Sequence, residues 1–251
     1  GQAMAIGLAG AGADIIGISL LEPIETRKRI EELGKNFYYF HADLAEAEII
    51  PELAQQAIAV HGKVDILVNN AGIIGLYAAE EYPLDNFDRV FAVNVRGLFL
   101  LTREIGKSML DRGYGRIIAT CSIQSLISGT NDSAYVASKH AVSGLVKAFA
   151  AEWGGRGVNV NGIAPGFMVT DNTANLRKNS DAVTEITPSS LGTAGGFNGT
   201  CHLLGIGSIA LCERSIAGCR WWIYHRLTLK YQRSFLWSHW SKKSHILIIS
   251  D

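Results

Sequence analysis

The run Val64-Asp65-Ile66-Leu67-Val68-Asn69-Asn70-Ala71-Gly72 constrains the fold more than any other stretch of the chain. Four of its first five residues are apolar, the pattern of a strand buried in a parallel sheet. It then breaks at two amides and a small-residue turn, as a strand does when it ends at a ligand crevice. Taken alone, Asn-Asn-Ala-Gly is also an ordinary turn; the strand before it favours the crevice. Parallel neighbours need long crossovers, and the rest of the chain supplies them. Strand patterns at 13–19, 37–40, 116–121 and 158–164 alternate with helical patterns at 24–33, 49–60, 84–111 and 133–153. Gly34 and His61-Gly62 end the first two helices. The expectation is a single α/β domain, a Rossmann-like doubly wound parallel sheet with right-handed crossovers and a ligand at the strand C-termini.

Composition narrows the function classes. With 251 residues, 48% hydrophobic, and 23 basic against 23 acidic residues, the chain can bury a sizeable core and has no basic bias towards nucleic acid. No apolar run reaches membrane-spanning length and no signal peptide is visible. The four cysteines have neither metal-ligand nor disulfide spacing, so no metal is expected, and a reduced, cytoplasmic protein is.

Chemistry enters with Tyr135 and Lys139, four residues apart in Ala134-Tyr135-Val136-Ala137-Ser138-Lys139, with Ser122 thirteen residues upstream. Positions i and i+4 share one helix face, so the ammonium can sit beside the phenol. A cation about 4 Å away, at an effective dielectric of about 20, favours a phenolate by roughly 4 kcal/mol. That suits a general acid/base. Ser122, at the end of Arg116-Ile117-Ile118-Ala119-Thr120-Cys121, would hydrogen-bond the same substrate oxygen. A lone Tyr-x-x-x-Lys is usually a surface tyrosine with a solvated lysine. Here it is flanked by the Asn-Asn-Ala-Gly strand end, by the strand Val158 to Gly166 that stops at Pro-Gly, and by Asn94. This last is a polar residue in the apolar helical stretch Phe91-Ala92-Val93-Asn94-Val95-Arg96-Gly97, where a satisfied core amide is the plain alternative.

Together these motifs resemble the short-chain dehydrogenase/reductase family, and the resemblance runs from Gly1 to about Ile186. It implies that Tyr135 is the catalytic acid/base and that Lys139 favours its phenolate and binds the nicotinamide ribose. It makes Ser122 the residue that positions the substrate carbonyl or hydroxyl. Asn94 holds a water that links Lys139 to solvent as a proton relay. Asn69, Ala71 and Gly72 line the cofactor, Asp43 contacts the adenine, and Pro165, Gly166, Met168 and Thr170 belong to the segment that meets the nicotinamide carboxamide. The family also pairs its two long helices between subunits, which implies a homotetramer or homodimer.

The opening Gly1-Gln2-Ala3-Met4-Ala5-Ile6-Gly7-Leu8-Ala9 resembles the helix that follows the family's first strand. Gly1 then stands where the last glycine of the phosphate turn belongs, at a helix N-terminus. On this reading the first strand is missing. Leu8-Ala9-Gly10-Ala11-Gly12-Ala13 is glycine-rich but falls before the second strand, where a helix C-cap belongs. At the end of that strand, Ser19-Leu20-Leu21-Glu22-Pro23 carries an acid and no base before Arg27. An acid there accepts the ribose hydroxyls of NAD, so Glu22 favours NAD, with NADP as the alternative.

The loop Ala164 to Arg177 resembles the subgroup that acts on deoxy sugar acids such as 2-deoxy-D-gluconate. Asn172 and Arg177 are its candidate substrate residues, although a helix-surface arginine is the plainer reading of Arg177. Gluconate 5-dehydrogenases, 3-oxoacyl thioester reductases and a non-catalytic product are the alternatives. Residues 1–186 thus form the dehydrogenase domain and 187–251 do not fit it. Four of five tryptophans and three of four cysteines fall after residue 190. Arg220-Trp221-Trp222, back-translated as CGA-TGG-TGG and read one base later, gives Asp-Gly-Gly, the family's C-terminal turn. The same shift from Ser190 recovers a family-like tail over about thirty codons. The tail is therefore expected to be out of frame, with the last strand replaced and Ile246-Leu247-Ile248-Ile249 without a partner.

Overall fold

The computed structural model describes residues 1–166, 209–212, 221–223 and 245–249. Strands β1 (Asp14–Ser19), β2 (Phe37–His41), β3 (Ile66–Asn69), β4 (Gly115–Thr120) and β5 (Val158–Pro165) carry the expected alternation. Helices α1 (Gln2–Gly10), α2 (Ile24–Glu32), α3 (Ile50–Ala59), α4 (Leu84–Phe91), α5 (Leu98–Arg112) and α6 (Ser133–Trp153) intervene. Three short strands follow: β6 (Ile209–Cys212), β7 (Trp221–Ile223) and β8 (His245–Ile249). All eight join one sheet in the order β2-β1-β8-β3-β4-β5-β6-β7. The β6–β7 pair is antiparallel and every other pair is parallel.

The helices pack on both faces of the sheet. On one, Leu101, Ile105 and Met109 of α5 and Val142 and Val146 of α6 meet Leu67, Ile117 and Val160. On the other, Met4 and Leu8 of α1 and Ile30 of α2 meet Ile15, Val68 and Ile118. Such burial on two faces explains why β3 reads as a continuous apolar run. The glycine-rich stretch after α1 is a helix end, as expected: Gly12 sits at φ +109° and its N–H bonds the Ala9 carbonyl. Only glycine adopts that backbone freely.

Two features depart from the sequence reading. The helical stretch 84–111 is not continuous, because six residues, Ala92–Gly97, form a π turn between α4 and α5. More consequentially, Ile246, Leu247 and Ile248 do have partners. Strand β8 lies between β1 and β3, Leu247 beside Ile16 on one side and Leu67 on the other. All three side chains are buried. This position, third from the β2 edge, is where the strand order reverses, and no motif in the sequence assigns a strand to it. A short Ile/Leu run with β-branched residues suits any twice-buried parallel strand.

Candidate active site

The crevice opens at the C-terminal ends of β1, β3, β4 and β5, and four of the expected residues converge there. Tyr135 and Lys139 lie on one face of α6, the lysine Nζ 5.5 Å from the centroid of the tyrosine ring. Tyr135 is half-buried and Lys139 is buried. Lys139 Nζ donates to the Thr120 carbonyl at 2.7 Å, so the ammonium is held by the last residue of β4. A second tie runs the other way, where Ser125 Oγ donates to the Lys139 carbonyl at 2.8 Å. Ser122 caps the short turn between these anchors. Its Oγ accepts from the Gln124 N–H at 3.2 Å, and its own N–H donates to Ser125 Oγ at 3.1 Å. The serine is thereby fixed relative to Tyr135 through backbone on both sides.

Asn94 sits inside the π turn and is buried. Its Oδ1 accepts from the Ile73 N–H at 2.8 Å, while Nδ2 donates to the Ile73 carbonyl at 3.0 Å and to Ser138 Oγ at 3.0 Å. Ser138 Oγ in turn donates to the Tyr135 carbonyl at 2.7 Å. The amide thus ties the loop after β3 to the first turn of α6. A π turn is a common device for aiming one side chain at a functional site.

The residues expected to line the cofactor fall around the other end of the crevice. Asn69 ends β3; its Nδ2 donates to Thr102 Oγ1 at 2.9 Å, and its Oδ1 is buried without a hydrogen-bond partner. Gly72 is buried, and a Cβ there would lie 3.2 Å from Lys139 Nζ and 3.5 Å from Asn94 Oδ1. Ala71, Asp43, Ser19 and Ile18 line a cleft beside it. Burial disfavours the Asp43 carboxylate, but the Ala45 N–H at 2.9 Å and the Arg89 guanidinium at 2.7 Å outweigh it and hold its carboxyl below the usual range. Glu22 is exposed just beyond β1 and pairs with Arg27 at 2.7 Å. Gly1 caps α1 with no side-chain cap, and Pro165 and Gly166 end β5. Met168, Thr170, Asn172 and Arg177 lie outside the described residues, as does most of 187–251. An orphaned acceptor at a strand end and a glycine cradle beside the lysine fit a nicotinamide dinucleotide. Sequence reading missed Ser138, Ser125, Thr120 and Arg89. Ser138 stands inside the Tyr-x-x-x-Lys motif and was open to view. Arg89 meets Asp43 only through the fold.

Residues 1–181 match the short chain dehydrogenase family. The chain belongs to that family. Among curated proteins, this dehydrogenase is 43% identical over 209 residues to 2-dehydro-3-deoxy-D-gluconate 5-dehydrogenase of Bacillus subtilis, covering 81% of this chain and 82% of that one. Among solved structures it resembles a candidate NAD(P)-dependent gluconate 5-dehydrogenase of Beutenbergia cavernae with bound NADP. The TM-score is 0.79 at 38% identity, over 84% of this chain and 89% of that one. A gluconate 5-dehydrogenase of Burkholderia cenocepacia in complex with NADP and tartrate gives 0.77 at 29% identity, over 85% and 89%. The dehydrogenase is therefore an oxidoreductase using a nicotinamide cofactor and a small-molecule substrate. Among its described residues, no helix is long and apolar enough to cross a membrane.

Proposed function

We propose that the chain interconverts a secondary alcohol and a ketone on a deoxy sugar acid of the 2-dehydro-3-deoxy-D-gluconate or 2-deoxy-D-gluconate type. The observation that carries this reading is the convergence of Ser122, Tyr135 and Lys139 at one strand end, locked by the Ser125–Lys139 and Lys139–Thr120 bonds. The kinship with the Bacillus subtilis enzyme supports the substrate class. When bound, the nicotinamide supplies or accepts the hydride. Tyr135 exchanges the proton of the substrate hydroxyl, Ser122 orients that oxygen, and buried Lys139 sets its amine beside the tyrosine ring. Asn94 holds the water that links Lys139 to solvent, and its side-chain bonds to Ile73 and Ser138 keep the loop and α6 in register around the lysine. Gly1, Asn69, Ala71, Gly72, Asp43, Pro165 and Gly166 hold the dinucleotide. Met168 and Thr170 extend that contact, and Asn172 and Arg177 cover the carboxylate of the substrate. The working form is a homodimer or homotetramer built on the long helices, which light scattering on the eluted chain measures.

The test is Tyr135→Phe in the full chain, assayed with both nicotinamides and a panel of deoxy sugar acids, gluconate and 3-oxoacyl thioesters. The expected result is turnover of a sugar acid by the parent chain and a fall in kcat of about 100-fold or more in the variant. A variant that kept most of the activity would sink the mechanism. Preferred turnover of an acyl thioester would move the substrate class. Glu22 gives the cofactor preference, NAD over NADP. Because Glu22 neutralises Arg27 at 2.7 Å, Glu22→Ala frees a guanidinium for a 2′-phosphate, and the NAD/NADP ratio of kcat/KM should fall by about tenfold. An unchanged ratio would remove Glu22 from this role.

A further inference from the structure

The opposite edge of the sheet, where the strands begin, carries a cluster that the dehydrogenase site does not use. Asp14 opens β1, His61 follows α3, and His245 opens β8, and one ligand atom from each lies within 4.8 Å of the others. The two imidazoles stack at 3.9 Å between centroids with 18° between planes. His61 Nε2 and His245 Nδ1 are both buried and both lack a hydrogen-bond partner. Buried polar nitrogens normally find a partner, so two of them side by side call for one.

The geometry points to a site for a single divalent transition-metal ion, Zn²⁺ being the best match, held by Asp14, His61 and His245. Two imidazoles and a carboxylate form a donor set that zinc accepts, with water at the fourth position, and that Mg²⁺ and Ca²⁺ do not favour. Zinc bonds of about 2.0–2.2 Å put tetrahedral ligands about 3.4 Å apart. Rotations that move each donor about 1 Å therefore close the site. Its surroundings already fix the ligands from behind, as outer partners do in metal sites. The Asn36 N–H and Nδ2 donate to Asp14 Oδ1 at 2.9 and 3.2 Å. Tyr38 meets the His61 ring edge-on at 5.0 Å. Asp65 clamps the His245 backbone, accepting from its N–H at 3.2 Å and donating its own N–H to its carbonyl at 2.9 Å. Among the described residues, the nearby cations Lys63 and Arg112 are taken up by Asp65 at 2.9 and 3.2 Å. All three ligands are partly exposed, which leaves an entry path. An ion there ties β1, the α3–β3 loop and β8 together at their starting ends. The ligands come from distant parts of the chain, so no spacing motif announces the site.

Titration of the chelator-treated full chain with Zn²⁺, followed calorimetrically, should show one ion bound per chain. Tm should rise by about 5 °C at 100-fold excess over Kd. Co²⁺ should give visible bands without thiolate charge transfer, which separates this site from any built on cysteine. His61→Gln and Asp14→Asn should each weaken Zn²⁺ binding about tenfold or more while the far-ultraviolet spectrum is kept. In the unmodified chain, Zn²⁺ should shield His61 and His245 from diethyl pyrocarbonate, read by peptide mapping, whatever the variants do. Equal Zn²⁺ affinity in the His61→Gln chain, or carbethoxylation of His61 and His245 at the same rate with and without Zn²⁺, overturns the proposal.

Discussion

Gly72 shows how much of the site depends on an absent side chain. A methyl there would stand 3.2 Å from Lys139 Nζ, tighter than ordinary contact, so the ammonium must give by a few tenths of an ångström and strain its bond to the Thr120 carbonyl. Gly72→Ala should therefore cut kcat by about tenfold or more while Tm moves by only a few degrees; steady-state kinetics with a melting curve checks both. Asp65 makes the opposite kind of contribution, to stability. Burial raises its carboxyl, but hydrogen bonds from Lys63 and the His245 N–H, with the Arg112 guanidinium, outweigh that and hold it below the ordinary range. A lowered folded-state pKa gives stability that is complete above the unfolded value near 4 and is lost as pH falls through the folded one. Asp65→Asn should cost about 2 kcal/mol at neutral pH, with the gap from the parent chain closing below about pH 4, as urea titrations across pH would reveal. Cys121, with its thiol pushed up to about 11 by burial, should resist alkylation at pH 8 in the folded chain. At this scale the sequence pattern points to residues that lie near one another: Lys139 stands beside the Tyr135 ring and Gly72, and Ser122 is tied through Ser125 to the Lys139 carbonyl. What could not be read is partnership across distance. Arg89 on Asp43 and Ser125 on the Lys139 carbonyl join residues that no local pattern links.

Among the elements, the π turn at Ala92–Gly97 has the most effect on the site. A regular helix through 84–111 would rotate Asn94 away from Ile73 and Ser138, because one extra residue per turn shifts every later side chain around the axis. Asn94→Ala removes three hydrogen bonds, one buried and two partly buried, and leaves both backbone groups of Ile73 short of a partner. It should cost about 3 kcal/mol, or about 6 °C or more in Tm, and loosen substrate turnover as α6 and the loop part. A melting curve and kcat together separate this from a purely local defect. Helix and strand identities were legible from periodicity, and α6 from Ser133 to Trp153 was read to the residue. The π turn was not, since an apolar helical stretch looks the same with or without one extra residue.

For the whole molecule, the telling fact is that the strand between β1 and β3 comes from residues far along the chain from both. Strand β8 contacts both β1 and β3, and Leu247 is fully buried between them. Leu247→Ala should cost about 3 kcal/mol, and loss of residues 245–251 should abolish a single cooperative transition, since two ladders go together. Calorimetry of the two variants decides. The doubly wound plan was legible because strand and helix periods differ; the identity of the strand between β1 and β3 was not, because any short run of branched apolar residues fits a place buried on both faces. The order in which the chain is made then matters. On a ribosome, β1 and β3 emerge long before the residues that must lie between them, and they have to stay apart, exposing apolar edges, until the last strand appears. Closure of so long a loop is slow, so the most aggregation-prone interval of this protein's synthesis lasts until residues 245–249 have been made.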